Sequence, residues 1–325
     1  MKDKKFLLVS MVIVYVTLML SFYGFQVMEK QATLNMKNSD KKPIYFGATY
    51  MTMNNPFFVV INDQIESVIE SRGDVLITMD PALSKEKQVE QIQYLIDQDI
   101  KVLFVNPLDD EIIKDVLKQC QRKGIIVIAV DTTLREDSDI NYTVISDNYQ
   151  AGVICAKAMM EKHESANIVL LKHSATISGA QRIQGFVDTI AGHDEYQVVA
   201  SEECEGQLEL ANPVMNALID KGTEFDVVMA LNDPAALGAM AALQEKGIQN
   251  VSVYGVDGTP EIKKLIAEGK EVVTVAQSPI EMGKKAVKIA YELLNGKKYE
   301  QSVYRIPVTL ITKDTIHGYS LNGWQ

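Results

Sequence analysis

The chain has 325 residues, 47% of them hydrophobic, and a formal net charge of −11. That length suits two domains after a short leader, with enough apolar material for sizeable cores. The acidic balance argues against a nucleic-acid binder and against a basic membrane-surface binder, and three cysteines give neither a disulfide framework nor metal-ligand spacing.

Lys2, Lys4 and Lys5 precede a nearly unbroken apolar run from Phe6 to about Phe25. Such a run is long enough to cross ~30 Å of hydrocarbon, and the lysines place everything after it on the extracytoplasmic side. Phe22-Tyr23-Gly24 puts an aromatic where a cleavage site wants a small side chain, and no cysteine near the end of the run offers a lipid attachment. The reading is an uncleaved transmembrane anchor over residues 1–27 and a polar tether over 28–42, with a cleaved signal peptide as the competing reading.

From Pro43 onward short β-branched runs alternate with amphipathic helical patterns. Residues 44–49, 74–78, 102–105 and 124–130 read as buried strands, with helical spacing over 84–96 and 111–123. The pattern then starts again with strands over 167–171, 197–200, 225–230, 251–256 and 271–276, and helices such as 234–246 and 260–268. Continuous apolar strands alternating with helices predict parallel sheets covered on both faces, and two such sets predict two doubly wound lobes with a cleft between them.

Polar residues follow the strands at several separate points. Asn54-Asn55-Pro56-Phe57-Phe58 follows the first, Asp131-Thr132-Thr133 the fourth, and Asn232-Asp233, Asp257-Gly258 and Gln277-Ser278 follow strands of the second set. Arg182 stands at a helix start after the strand ending at Leu171. Each has a plain structural reading: Asn55 caps a helix, Pro56 takes its first position, and Phe57 and Phe58 are core. Together they lie where open α/β sheets bind ligands, and they pair hydrogen-bonding amides, carboxylates and a guanidinium with flat apolar faces, the combination a sugar ring demands.

In these segments, and in Asn106-Pro107-Leu108-Asp109, Ile145-Ser146-Asp147-Asn148, Arg182-Ile183-Gln184-Gly185-Phe186 and Ala236-Leu237-Gly238-Ala239, the chain resembles the ribose-type periplasmic sugar-binding proteins, from about Lys42 to Leu310. The resemblance implies a type I two-lobed fold with a three-segment hinge near Ser146, Gln277 and Thr309. Lobe one would then be 43–146 plus 278–309, and lobe two 147–277 plus 310–325. It also implies that Asn55, Asp131, Arg182, Asn232, Asp257 and Gln277 hydrogen-bond sugar hydroxyls, with Phe57 and Phe58 walling the ring. Two departures stand out: Thr132 replaces the arginine that follows the strand-end aspartate in the ribose-binding pattern, and Gly206 lies near the position of an aromatic. His173 sits near the rim, and because the polar core is kept while its ribose-fitting additions are not, the expected ligand is a pentose, xylose ahead of ribose.

No Gly-x-Ser-x-Gly elbow, paired-His metal motif or phosphate loop appears, and four histidines leave little material for acid–base work, so no enzyme, cofactor or metal is expected. Converging carboxylates keep glycoside hydrolysis as an alternative class. A repressor of related core would need a basic helix-turn-helix where the apolar run stands. The resemblance leaves two membrane partners, a sensor histidine kinase, which suits an anchored receptor, and the permease of an ATP-driven (ABC) importer.

Overall fold

The computed structural model describes residues 42–133 and 140–325, together with residue 19. The chain divides into two compact units, Met1–Ile44 and Tyr45–Gln325, and every element named below belongs to the second. Apart from residue 19, the expected anchor over 1–27 lies outside the described residues, as does nearly all of the tether over 28–42. Among those described, no helix is long and apolar enough to cross a membrane.

The first half runs β1 (Tyr45–Thr49), α1 (Pro56–Glu70), β2 (Val75–Met79), α2 (Lys85–Asp97), β3 (Val102–Val105), α3 (Asp110–Arg122), β4 (Ile126–Val130) and β5 (Tyr142–Ser146). The second runs α4 (Asn148–Lys162), β6 (Ala166–Lys172), α5 (Ile177–Ile190), β7 (Tyr196–Glu203), α6 (Leu208–Asp220), β8 (Val227–Ala230), α7 (Asp233–Glu245), β9 (Ser252–Asp257), α8 (Pro260–Ala267) and β10 (Val272–Ala276). The chain then returns through α9 (Pro279–Leu294) and β11 (Val303–Ile306), and ends beyond β12 (Thr309–Ile311) and a short 3-10 turn, Ile316–Gly318.

Two six-stranded sheets result, with the orders β2-β1-β3-β4-β5-β11 and β7-β6-β8-β9-β10-β12. Every pairing is parallel except that of β12, which runs antiparallel to β10. The central strands are apolar at nearly every position because both of their faces are covered. In the second lobe one face carries α6, α7 and α8 over Val169, Val228 and Val253. The opposite face carries α4 and α5 over Ile168, Val227 and Tyr254. In the first lobe α2 and α3 cover Leu103, Val105 and Val127, and α9 packs on α1.

The chain passes between the sheets at Ser146-Asp147, at Gln277-Ser278 and at Pro307-Val308. The last corrects the expected boundary. Thr309, expected at the end of the first lobe, pairs with Ala276 in the second sheet. Cys120, Cys155 and Cys204 are all buried thiols, small core residues whose pKa values burial pushes up.

Candidate functional site

In the second lobe the site is built around Arg182, which the structure places in the second turn of α5 rather than at a helix start. Two glycines set its position. Gly152 of α4 lies against the main chain of Arg182, and Gly185 of α5 against that of Tyr149, so closely that a Cβ at either would collide with a carbonyl oxygen. The side chain is 5% exposed. Its Nε donates to Asn148 Oδ1 at 2.9 Å, and Nη1 donates to Leu231 O at 3.1 Å and to Asp257 Oδ1 at 3.3 Å.

Asp257 Oδ1 also accepts from Gln277 Nε2 at 2.7 Å, and Oδ2 accepts from the Asp233 N–H at 3.4 Å. Beneath it Asp233 is fully buried, its carboxylate accepting from Thr274 Oγ1 and from the Thr259 N–H, each at 2.7 Å. Burial pushes both pKa values up; the Arg182 guanidinium opposes the shift at Asp257, and the charge of Asp257 adds to it at Asp233. Asn232 is bound locally. Its Oδ1 caps α7 by accepting from the Ala235 N–H, and its Nδ2 donates to Gly206 O, each at 3.0 Å. Gly206 sits at φ +66°, a left-handed conformation, and a Cβ there would meet Asn232 Nδ2 at 2.8 Å. An aromatic at that position would therefore need a different loop.

In the first lobe Asn55 caps α1, accepting from the Phe57 N–H at 3.0 Å, with Pro56 in the first turn. The residue is exposed, and the cap bond uses only its amide oxygen. Phe57 and Phe58 are each 5% exposed and meet edge to face at 5.7 Å, while Phe58 stacks on Tyr50 at 5.9 Å. The plain reading of the two rings as core residues therefore holds. Asp131 follows β4 at φ +70°, and Asp257 closes β9 at φ +143°, so both strand-end aspartates hold conformations that L-residues seldom adopt. Asp131 Oδ1 is buried and has no hydrogen-bond partner among the described residues. Burial pushes the Asp131 pKa up to about 6, with Arg182 of the other lobe opposing and Asp257 reinforcing the shift.

Asp131 and Thr132 line an interlobe cleft of about 380 Å³ with Met51 and Asn106 of the first lobe and Thr176 and Ser178 of the second. Among the described residues the Thr132 hydroxyl donates to the neighbouring Thr133 O, at 3.4 Å. His173 holds the start of α5 through its carbonyl, which accepts from the Thr176 N–H at 3.3 Å. Arg182, Asp257 and Gln277 are thus joined in one hydrogen-bonded network, Asp131 faces its charges across the cleft, and Asn55 and Asn232 are anchored as caps.

Four further residues belong to this region. Asn106, fully buried, donates to Val130 O at 3.0 Å and accepts from the Met51 N–H at 3.3 Å; its signal is the asparagine that directly follows an apolar strand in Asn106-Pro107-Leu108-Asp109. Asp233 reads in the sequence as an ordinary acidic residue in a first helical turn. Trp324 lies edge to face with Phe57 at 5.5 Å, and Gln325 donates to Gln277 O at 2.7 Å; no local pattern announces either. Among the described residues no acidic, His or Cys cluster could hold a metal ion.

Residues 46–298 match the periplasmic binding protein domain. The chain is 32% identical over 264 residues to the ribose import binding protein RbsB of Salmonella typhimurium, covering 81% of this chain and 88% of that one. The chain belongs to the ribose-type periplasmic sugar-binding proteins. It is also 29% identical over 240 residues to the D-xylose-binding periplasmic protein of Escherichia coli, covering 70% of this chain and 71% of that one. An ABC transporter solute binding protein from Bacillus halodurans, solved with bound myo-inositol, superposes with a TM-score of 0.78 at 25% identity, covering 85% of this chain and 96% of that one. Membership makes the protein a binding component and not an enzyme, in line with the sequence reading.

Proposed function

We propose that the cleft binds a monosaccharide, a pentose with xylose ahead of ribose, and that the lobes close on it. One observation carries this reading: Asp131 Oδ1 and Gln277 Oε1 are buried acceptors with no hydrogen-bond partner among the described residues, set beside the bonded Arg182–Asp257 pair. A buried acceptor left unpaired costs roughly 1–3 kcal/mol, and sugar hydroxyls are donors of the right size to satisfy both. Asn55 and Phe57 add an amide and a ring face. Relatives named for ribose and for D-xylose support a pentose, while Thr132 and Gly206 argue for the ligand other than ribose.

Closure is a hinge motion whose free energy a membrane partner reads. A sensor histidine kinase fits a receptor that keeps its apolar run, Phe6 to Phe25, as an anchor. The second reading, delivery to an ATP-driven importer, has the names of relatives in its favour. A mature chain that begins after Phe25 would decide for import. The ligand is tested by thermal unfolding of the protein against pentoses, hexoses and their alcohols. A hundredfold excess over Kd stabilises by about 2.7 kcal/mol; no shift with any sugar would remove the proposal and leave the fold.

A further inference from the structure

Beyond β12 and the 3-10 turn the chain runs back to the second interlobe crossing. There Gln325 Nε2 donates to Gln277 O at 2.7 Å and to Asp257 O at 3.2 Å. Gln325 Oε1 accepts from Lys263 Nζ at 3.2 Å, and Lys263 also donates to Gly323 O. Ser278 Oγ donates to Gln325 O at 2.6 Å. The Trp324 ring meanwhile rests edge to face on Phe57, at 5.5 Å and 68°.

These contacts fall on both sides of one hinge strand. Asp257 and Gln277 close strands of the second lobe, Ser278 opens the helix that packs in the first, and Phe57 belongs to α1 of the first. The space is made for the segment: Gly258, at φ +75°, lies where a Cβ would collide with Gln325 Nε2. Lys263 is 1% exposed, and a buried ammonium stays charged only where carbonyls and dipoles receive it, which Gly323 and Gln325 do.

We propose that Trp324 and Gln325 are positioning residues of the sugar site, an inference that rests on the function proposed above. Gln325 fixes the main chain from which the Asp257 and Gln277 side chains reach the cleft. Trp324 sets the tilt of the Phe57 ring, and so ties the stacking face of one lobe to the hydrogen-bonding groups of the other. The edge-to-face pair holds Phe57 in one orientation, where otherwise it would sample several before closure.

Trp324 is the only tryptophan in the chain, so the emission of the full-length protein reports this contact alone. D-xylose and D-ribose are titrated into the wild type and into Trp324→Ala, Trp324→Phe and Gln325→Ala, with binding followed by calorimetry and folding by thermal unfolding without sugar. The expected result is a change of wild-type emission on sugar binding and a loss of affinity of about tenfold in Trp324→Ala and Gln325→Ala, as the loss of one well-placed aromatic or hydrogen-bonded contact gives. Trp324→Phe keeps a ring against Phe57 and restores most of the affinity, a rescue that a merely structural role would not require. Wild-type sugar affinity in both alanine variants, or emission of a solvent-exposed indole that sugar leaves unmoved, overturns the positioning role alone. If neither calorimetry nor unfolding detects sugar binding to the wild type, the proposed function falls and takes this role with it.

Discussion

The fourth strand of the first sheet, β4, is followed by Asp131, whose Oδ1 has no hydrogen-bond partner among the described residues. The strand in the same place in the second sheet, β9, ends in Asp257, whose two oxygens accept from Arg182, Gln277 and the Asp233 N–H. The next strands repeat the contrast in part: among the described residues, the buried hydroxyl of Ser146 at the end of β5 lacks a partner, and Gln277 after β10 has its Nε2 bonded while Oε1 is not. Two sheets of one topology therefore carry two kinds of half-site. In the second lobe Arg182, Asp257 and Gln277 are bonded to one another, with Gln277 Oε1 left unpaired among the described residues. The first leaves Asp131 Oδ1 and Ser146 Oγ unpaired among the described residues, and on the function proposed above the cost of burying the aspartate is recovered on binding. The closure proposed above needs such an asymmetry, because groups satisfied equally in both states shift no equilibrium.

The largest expected effect breaks the pre-assembled half. Arg182→Met keeps the length of the side chain but removes the cation that faces Asp257 in a buried network. An uncompensated buried charge costs about 3–5 kcal/mol, so denaturant unfolding at neutral pH should show a loss of that order, together with loss of sugar binding. The carboxylate left behind takes up a proton more readily, and part of the lost stability returns as the pH is lowered. A variant about as stable as the wild type would show that Asp257 does not depend on Arg182.

The next effect has the opposite sign and comes from the other lobe. The Asp131 pKa stands at about 6 in the folded protein against an ordinary 3.8. The folded state thus holds this proton more tightly than the unfolded state does. The stability it contributes is complete below about pH 4 and is lost as pH rises through about 6. Asp131→Asn removes this dependence and should stabilise the sugar-free protein at pH 7 by at most about 3 kcal/mol, since each tenfold change in proton affinity is worth about 1.4 kcal/mol before relaxation. The same change should lower sugar affinity by about tenfold or more, the worth of a hydrogen bond to a charged group. Urea unfolding of both proteins at about pH 4 and about pH 7 checks the first part, and calorimetry the second. Equal stability at both pH values in wild type and variant would mean that the charge of Asp131 is already compensated within its own lobe.

The contrast also explains what can be read from the sequence. Both sheets are legible because their strands are buried on two faces and stay apolar throughout, as in Val102–Val105 and Val227–Ala230. Asp131, Asp257 and Gln277 are legible as polar side chains directly after apolar strands, where each also has a plain reading as a turn or cap. Local pattern places Arg182 a turn too early, since the α4–α5 crossing that positions it depends on Gly152 and Gly185, whose closeness is a tertiary fact. The capping bonds of Asn55 and Asn232 are legible as caps, yet local sequence does not say which donors remain for a ligand. Trp324 and Gln325 are invisible, because their partners Phe57, Asp257 and Gln277 are brought to them only by the three crossings of the fold.

The smallest effect separates a buried group that waits for a ligand from one that does not. Ser146 is 1% exposed, and its Oγ lacks a partner among the described residues, at a crossing between the lobes. If the cleft never supplies that partner, Ser146→Ala removes an unsatisfied hydroxyl at the cost of no contact and should stabilise the protein by about 0.5–1 kcal/mol with sugar affinity unchanged. Gln277→Ala, at the matching place in the second sheet, removes a bond to Asp257 as well as an acceptor, and should lower both stability and affinity. Thermal unfolding of the two variants with and without D-xylose measures the difference directly. Should Ser146→Ala lose affinity in the same proportion as Gln277→Ala, the hydroxyl is a ligand group of the first lobe, and the set of acceptors satisfied only on closure extends from Asp131 to the hinge itself.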